Sequence, residues 1–211
     1  MNKQPLHLLL ALLICVISGG LFMTIAYFVQ NEKISHFDLP IIEFIQGFEV
    51  PWLTAIFKSF TWIGSAYGII PITIVICTIL FFRLRYRGQA LLFAFSMVGT
   101  ILFNELLKQI FKRERPEIYR IMDSGGFSFP SGHTMMAFSL YGMIVYVCWR
   151  HLKKTSSRMI LVGFAAVMAF SIAISRIYVG VHFPSDIIGG IAASTFFLTI
   201  VISIYERGLH K

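Results

Sequence analysis

The sequence predicts an all-α protein threaded through a membrane, and three observations predict it together: a lopsided composition, six long apolar runs, and basic clusters in alternate gaps between those runs. Hydrophobic residues make up 57% of the 211 and charged residues only 13%, against about 25% charged in soluble domains. That balance excludes a soluble enzyme, a disordered chain and a disulfide-stapled secreted module. The length suits one membrane-embedded domain over residues 1–211. Cys15, Cys77 and Cys148 stand singly in apolar stretches, so they read as small buried hydrophobes rather than as a zinc pair or a disulfide framework.

A bilayer core ~30 Å thick takes about 20 apolar residues of helix at ~1.5 Å per residue. Residues 6–29 form the first such run. It is too long for a signal-peptide core and lacks a small-x-small cleavage site, so it reads as a retained span. Residues 64–82 form the second, with Pro71 tolerated inside it, and 89–111 the third. Residues 131–149, 159–175 and 185–205 complete six crossings. Between the first two runs, residues 31–63 mix Trp, Phe and Ile with Glu43, Glu49 and Lys58, the pattern of short helices lying at the interface rather than of another crossing.

Orientation follows from the loops, since Lys and Arg collect on the cytoplasmic side. One side carries Lys3, Arg83, Arg85, Arg87, Arg150, Lys153, Lys154, Arg158, Arg207 and Lys211, with Glu206 its one acid. Both termini are therefore expected in the cytoplasm. The net charge of +8 sits in short clusters beside apolar runs, which suits anionic lipid and not nucleic acid.

Ionisable residues at the mouths of spans are functional candidates, and here they gather on the outer face at three places within about residues 104–190. His182 and Asp186 are four apart. On one helical face the carboxylate would fix the imidazole tautomer and leave the other nitrogen as nucleophile or base; the alternative is a polar pair capping a helix. Pro130-Ser131-Gly132-His133 has the grammar of a helix start. Its free N–H groups offer an anion site that Gly132 leaves open and His133 adjoins, although an ordinary cap with an interfacial histidine fits the same residues. Lys108 and Arg115, two helical turns apart, converge with Arg176 on what would be a doubly charged oxyanion, or else snorkel toward headgroups. Snorkelling accounts for Lys112, Arg113 and Arg120. Glu105, three residues before Lys108, is expected to pair with it, the alternative being contact with a substrate headgroup. No carboxylate cluster stands near these segments for a divalent metal, so neither metal nor cofactor is expected.

Taken together the three segments resemble the type 2 phosphatidic acid phosphatase superfamily, the lipid phosphate phosphatases. Its motif K-x6-R-P is matched by Lys108 through Arg115-Pro116, P-S-G-H by Pro130 to His133, and S-R-x5-H-x3-D by Ser175-Arg176 through His182 to Asp186. No motif position departs from the pattern. The resemblance implies a metal-independent phosphomonoesterase acting through a phosphohistidine. It makes His182 the nucleophile, Asp186 its orienting partner and His133 the acid that protonates the leaving alkoxide. Lys108, Arg115, Ser131, Gly132 and Arg176 would hold the phosphoryl oxygens.

The short loops resemble the bacterial members, which implies a multi-pass protein of the plasma membrane acting on a membrane lipid. Phosphatidylglycerophosphate is the preferred substrate, because Lys112 and Arg113 offer extra cations for a doubly anionic headgroup. Undecaprenyl diphosphate is the alternative. From other classes, a phospholipid transporter without hydrolysis would not need two histidines, and an intramembrane serine protease built on Ser131 would not need three cations.

Overall fold

The computed structural model describes residues 4–117 and 120–209. Within them the chain forms eight α-helices and no strand: α1 (Gln4–Gln30), α2 (Ser35–Gln46), α3 (Pro51–Ile63), α4 (Ala66–Thr78), α5 (Arg87–Phe111), α6 (Gly132–Trp149), α7 (Thr155–Tyr178) and α8 (Pro184–Leu209). A π-helical stretch, Ile79–Arg83, continues α4. Each apolar run of the sequence has become one of the six long elements. Lys3 and Lys211, counted above in the charge asymmetry, lie outside the described residues.

Local chemistry sets the ends that matter for the site. Lys112 closes α5 in the left-handed region (φ 46°), its N–H returning to the Lys108 carbonyl. Ser131 caps α6 from an extended conformation, its hydroxyl oxygen accepting from the Thr134 N–H and hydroxyl at 3.4 and 3.0 Å. Gly180 turns the chain between α7 and α8 at φ +75°, where a side chain would be strained. Pro184 then opens α8 at a position that has no N–H to satisfy.

Five helical stretches are long and apolar enough to cross a membrane: Leu8–Gln30, Ala66–Arg83, Arg87–Phe111, Thr155–Tyr178 and Pro184–Gly208. The outward faces agree, with Leu9, Val16 and Met23 on α1 each more than 60% exposed, an apolar surface that water would not tolerate. The expectation of six counted α6 as well. That helix has 18 residues and a polar first turn, and it packs against α4, α5, α7 and α8. An enclosed helix needs less lipid-facing apolar surface, which is why its composition is weaker. Met143, Ala137 and Leu140 put it in the main core beside Phe93 of α5 and Ile172 of α7. Thr100 donates to Ser139 across the α5–α6 contact at 2.8 Å, satisfying two hydroxyls that lipid would leave unpaired.

The mixed segment between the first two runs is α2 and α3, of 12 and 13 residues. At ~1.5 Å per residue neither is long enough to cross ~30 Å. Both fasten to the end of α7. Thr61 and Ser175 share a hydrogen bond at 2.8 Å, Thr54 and the Tyr178 hydroxyl another at 2.8 Å, and the Phe57 ring lies 4.4 Å from that of Tyr178.

The bundle has two distinct ends. At one, the Tyr86 and His151 rings stack at 4.6 Å, Arg150 pairs with Glu206, and Gly88 makes room for the Tyr205 hydroxyl. Those contacts gather the turns around 83–87 and 150–154 with the end of α8, so the basic clusters share one end. At the other end, the close of α5, the start of α6, the close of α7 and the start of α8 meet beneath α2.

Candidate active site

His182 stands in the α7–α8 turn, 2% exposed, and Asp186 in the first turn of α8 is fully buried. Asp186 Oδ2 accepts the Phe183 N–H at 2.9 Å, so the carboxylate caps its own helix while it meets His182 Nδ1 at 3.1 Å. The capping and the pairing readings of these two residues are thus both realised. Ser128 donates to the same oxygen. At the far side of the ring, Arg115 Nη1 lies 3.1 Å from Nε2. Arginine has only donors, so Nε2 carries a lone pair and Nδ1 the proton, which is the tautomer that Asp186 selects. Burial pushes the His182 pKa down to about 4, opposed by its bond to Asp186. That shift favours the neutral imidazole, whose Nε2 lone pair accepts from Arg115.

The start of α6 lies against this turn, because the Ser131 N–H donates to the Asp186 carbonyl at 3.1 Å. Asn104 Nδ2 holds the Pro130 carbonyl at 3.1 Å. The first intrahelical bond runs from Met135 N to the Ser131 carbonyl, so the N–H groups of Gly132 and His133 precede it and remain for an anion. A Cβ on Gly132 would stand 2.9 Å from Asn104 Oδ1 and 3.8 Å from Lys108 Nζ. Glycine is what lets Asn104 pack this close to the helix start, with Lys108 in ordinary contact beside it. His133 is half-buried, in the electrostatic field of Arg176, His182, Lys108 and Arg115. Lys108 feels the charges of Arg115, Glu105, Asp186 and Arg176. Arg176 is 3% exposed, and its Nε is buried without a hydrogen-bond partner, a donor prepared for an absent acceptor. All eight residues singled out from the sequence therefore meet in one region, where three cations, two histidines and a helix N-terminus face one another.

The PAP2 superfamily pattern matches residues 89–208, more than half of the chain. The chain belongs to the PAP2 superfamily. It is 30% identical over 189 residues to phosphatidylglycerophosphatase B of Bacillus subtilis, covering 88% of this chain and 92% of that one. It is 24% identical to an undecaprenyl-diphosphatase of Sulfolobus acidocaldarius, over 89% of each chain. A crystal structure of a transmembrane PAP2-type phosphatidylglycerolphosphate phosphatase from Bacillus subtilis superposes with a TM-score of 0.85 at 28% identity, covering 92% of this chain and 96% of that one. With its apolar helices, this PAP2 chain is a multi-pass membrane protein.

Two expectations need correcting in this PAP2 chain. Arg113 is not a headgroup cation: its side chain is 14% exposed and pairs with Asp38 and Asp186, each at 2.7 Å. Glu105 accepts from Gln109 Nε2 at 2.7 Å and forms no direct ion pair with Lys108, although its charge still acts on that lysine. The i,i+4 partner lies on its own exposed face, whereas Lys108 turns inward. Arg120 is exposed but bonds to the carbonyls of Pro116 and Arg115, and Lys112 is exposed as well. Arg115 is more than a phosphate ligand in waiting, since it also donates to the carbonyls of Gly125, Gly126, Phe127 and Val181. It braces the loop before α6 against the one before α8. Asp38, Asn104, Ser128 and Ser185 also line the region. Of these, Asn104, four residues before Lys108 at the mouth of a span, had a signal in the sequence, and Asp38 had none.

Proposed function

We propose that the chain is an integral-membrane lipid phosphatase, a phosphoric monoester hydrolase that converts phosphatidylglycerophosphate to phosphatidylglycerol and phosphate through a phosphohistidine. The observation that carries this reading is the buried His182, its Nδ1 held by Asp186 and its Nε2 by Arg115, among three cations at the start of α6. Phosphoryl transfer is mostly positioning and charge stabilisation. Arg115, Arg176, Lys108 and the N–H groups at the start of α6 take the phosphoryl oxygens, and Arg115 thereby leaves Nε2. That nitrogen attacks phosphorus as the bond to the lipid oxygen breaks, and His133, which takes up a proton once the bound phosphate offsets the surrounding cations, gives that proton to the lipid oxygen. His133 next takes a proton from water, whose oxygen attacks phosphorus. The N–P bond breaks, phosphate leaves and His182 is restored. Asp186 balances the charge on His182 while it is phosphorylated.

The membrane arrangement supporting this chemistry is a single domain with α6 as the sixth crossing, both termini in the cytoplasm and the site at the outer face. A lipid then reaches the site with its acyl chains still in hydrocarbon. The Bacillus relative and its structural counterpart favour phosphatidylglycerophosphate now that Arg113 no longer speaks for it. The Sulfolobus relative favours a second reading, hydrolysis of undecaprenyl diphosphate. Phosphate release by the detergent-purified protein in EDTA, from the two lipids at matched concentration, tests both. The scheme needs no metal ion, so release is expected, faster from phosphatidylglycerophosphate and abolished in His182→Ala. A higher rate on undecaprenyl diphosphate would transfer the assignment to the carrier lipid, and no release from either would point to transport.

A further inference from the structure

Behind the pair formed by His182 and Asp186 lies a second layer of charge. Asp38, on α2, is fully buried. Its Oδ1 accepts the Ser185 N–H at 2.8 Å, and its Oδ2 accepts the Ser185 hydroxyl and Arg113 Nη2 at 2.7 Å each. The other arm of the guanidinium, Nη1, donates to Asp186 Oδ1 and to Ser185 Oγ at 2.7 Å. The Phe183 ring lies 3.9 Å from the guanidinium carbon and covers its face. One arginine therefore joins two buried carboxylates, and only the second of them touches His182.

We infer that Asp38 and Arg113 are positioning residues of the site: by dividing its guanidinium between Asp38 and Asp186, Arg113 sets how firmly Asp186 holds the His182 imidazole. The argument rests on the reading of His182 and Asp186 given above. Two carboxylates and one guanidinium leave one negative charge behind an imidazole that becomes positive when it reacts. If Asp38 lost its charge, Arg113 would bind Asp186 undivided, and the charge behind the ring would be neutralised. If Arg113 lost its charge, Asp186 would turn fully to His182, but Oδ1 would be left buried without its partner. Arginine is required for the bridge, because its planar fork reaches two carboxylates while a lysine offers a single point charge.

The test uses the full-length protein in detergent with phosphatidylglycerophosphate. Asp38→Asn and Arg113→Gln are each expected to lower kcat about 10- to 100-fold, the usual effect of removing an outer partner of a functional group, with KM within about threefold of wild type because neither is placed to touch the phosphate. Arg113→Lys, the mildest change, is expected to lose about tenfold by the same reasoning, and wild-type kcat in that variant would overturn the proposal even if the other two failed to fold. The second readout is the His182 Nδ1 proton resonance at neutral pH. It should move downfield in Arg113→Gln, where Asp186 pulls harder, and upfield in Asp38→Asn, where it pulls less. Merely loosened packing would move both upfield, and that result, or unchanged kcat, would refute the positioning role. If wild-type protein releases no phosphate, the proposed reaction fails, while the opposed resonance shifts still decide the positioning claim.

Discussion

In the proposed reaction the chemistry turns on His182, and the environment of that residue makes a quantitative demand. An imidazole ordinarily titrates near 6.5, but burial moves this one to about 4. Between those values the unfolded chain binds more protons at this position than the folded one, so stability should rise with pH across that window and fall as pH drops through it. Histidine-labelled protein followed by NMR, with His182→Ala assigning the resonance, should show this ring neutral down to about pH 4; a midpoint near 6.5 would contradict the buried, neutral nucleophile. Glycine at 132 carries a second demand. A methyl group there would press on Asn104, 2.9 Å from its oxygen, and so shift the residues that hold the start of α6 beside Lys108. Because small misplacements at a reacting centre are costly, Gly132→Ala should lower kcat/KM by about tenfold or more while leaving helical content unchanged by circular dichroism. Wild-type turnover would mean that the helix start does not hold phosphate.

At the scale of elements, the order of helices was legible because each apolar run is long and bounded by charge; every run is helical, and five helical stretches are long and apolar enough to cross a membrane. The three motif segments were also legible as one cluster, since each lies at the end of a run and alternate ends share a side. Other features could not be read. Asp38 meets Arg113 and Ser185 across 75 and 147 residues of chain, and no local pattern reports a contact of that range. Arg113 looked like an exposed base beside Lys112, but the left-handed turn at Lys112 swings the next residue inward. The enclosure of α6 was hidden too, because Met, Ala and Leu suit lipid and core equally well. Its partners Phe93 and Ile172 come from helices on either side of it in the chain.

For the whole molecule, the two ends of the bundle differ in composition, and that difference predicts orientation. The end formed by the 83–87 and 150–154 turns is the basic one, and the reactive residues sit at the other. By the positive-inside rule the basic end is expected in the cytoplasm. With the native cysteines replaced, Glu49→Cys near the reactive end should react with an impermeant maleimide on intact cells, and Lys153→Cys at the basic end should react only after permeabilisation. The reverse pattern would invert the topology and place the site in the cytoplasm.

The central claim is a covalent phosphoryl group on His182, and trapping tests it most directly. Lipid substrate labelled in the scissile phosphate would be mixed with protein, the reaction quenched in alkali, where phosphohistidine survives, and the label located on the chain. With an activated leaving group that needs no proton, His133→Ala should form the intermediate and stall before hydrolysis, so label should accumulate on His182 in that variant. It should be absent from His182→Ala. Label on His133→Ala protein at any other residue, or none at all while phosphate is still released, would contradict the account.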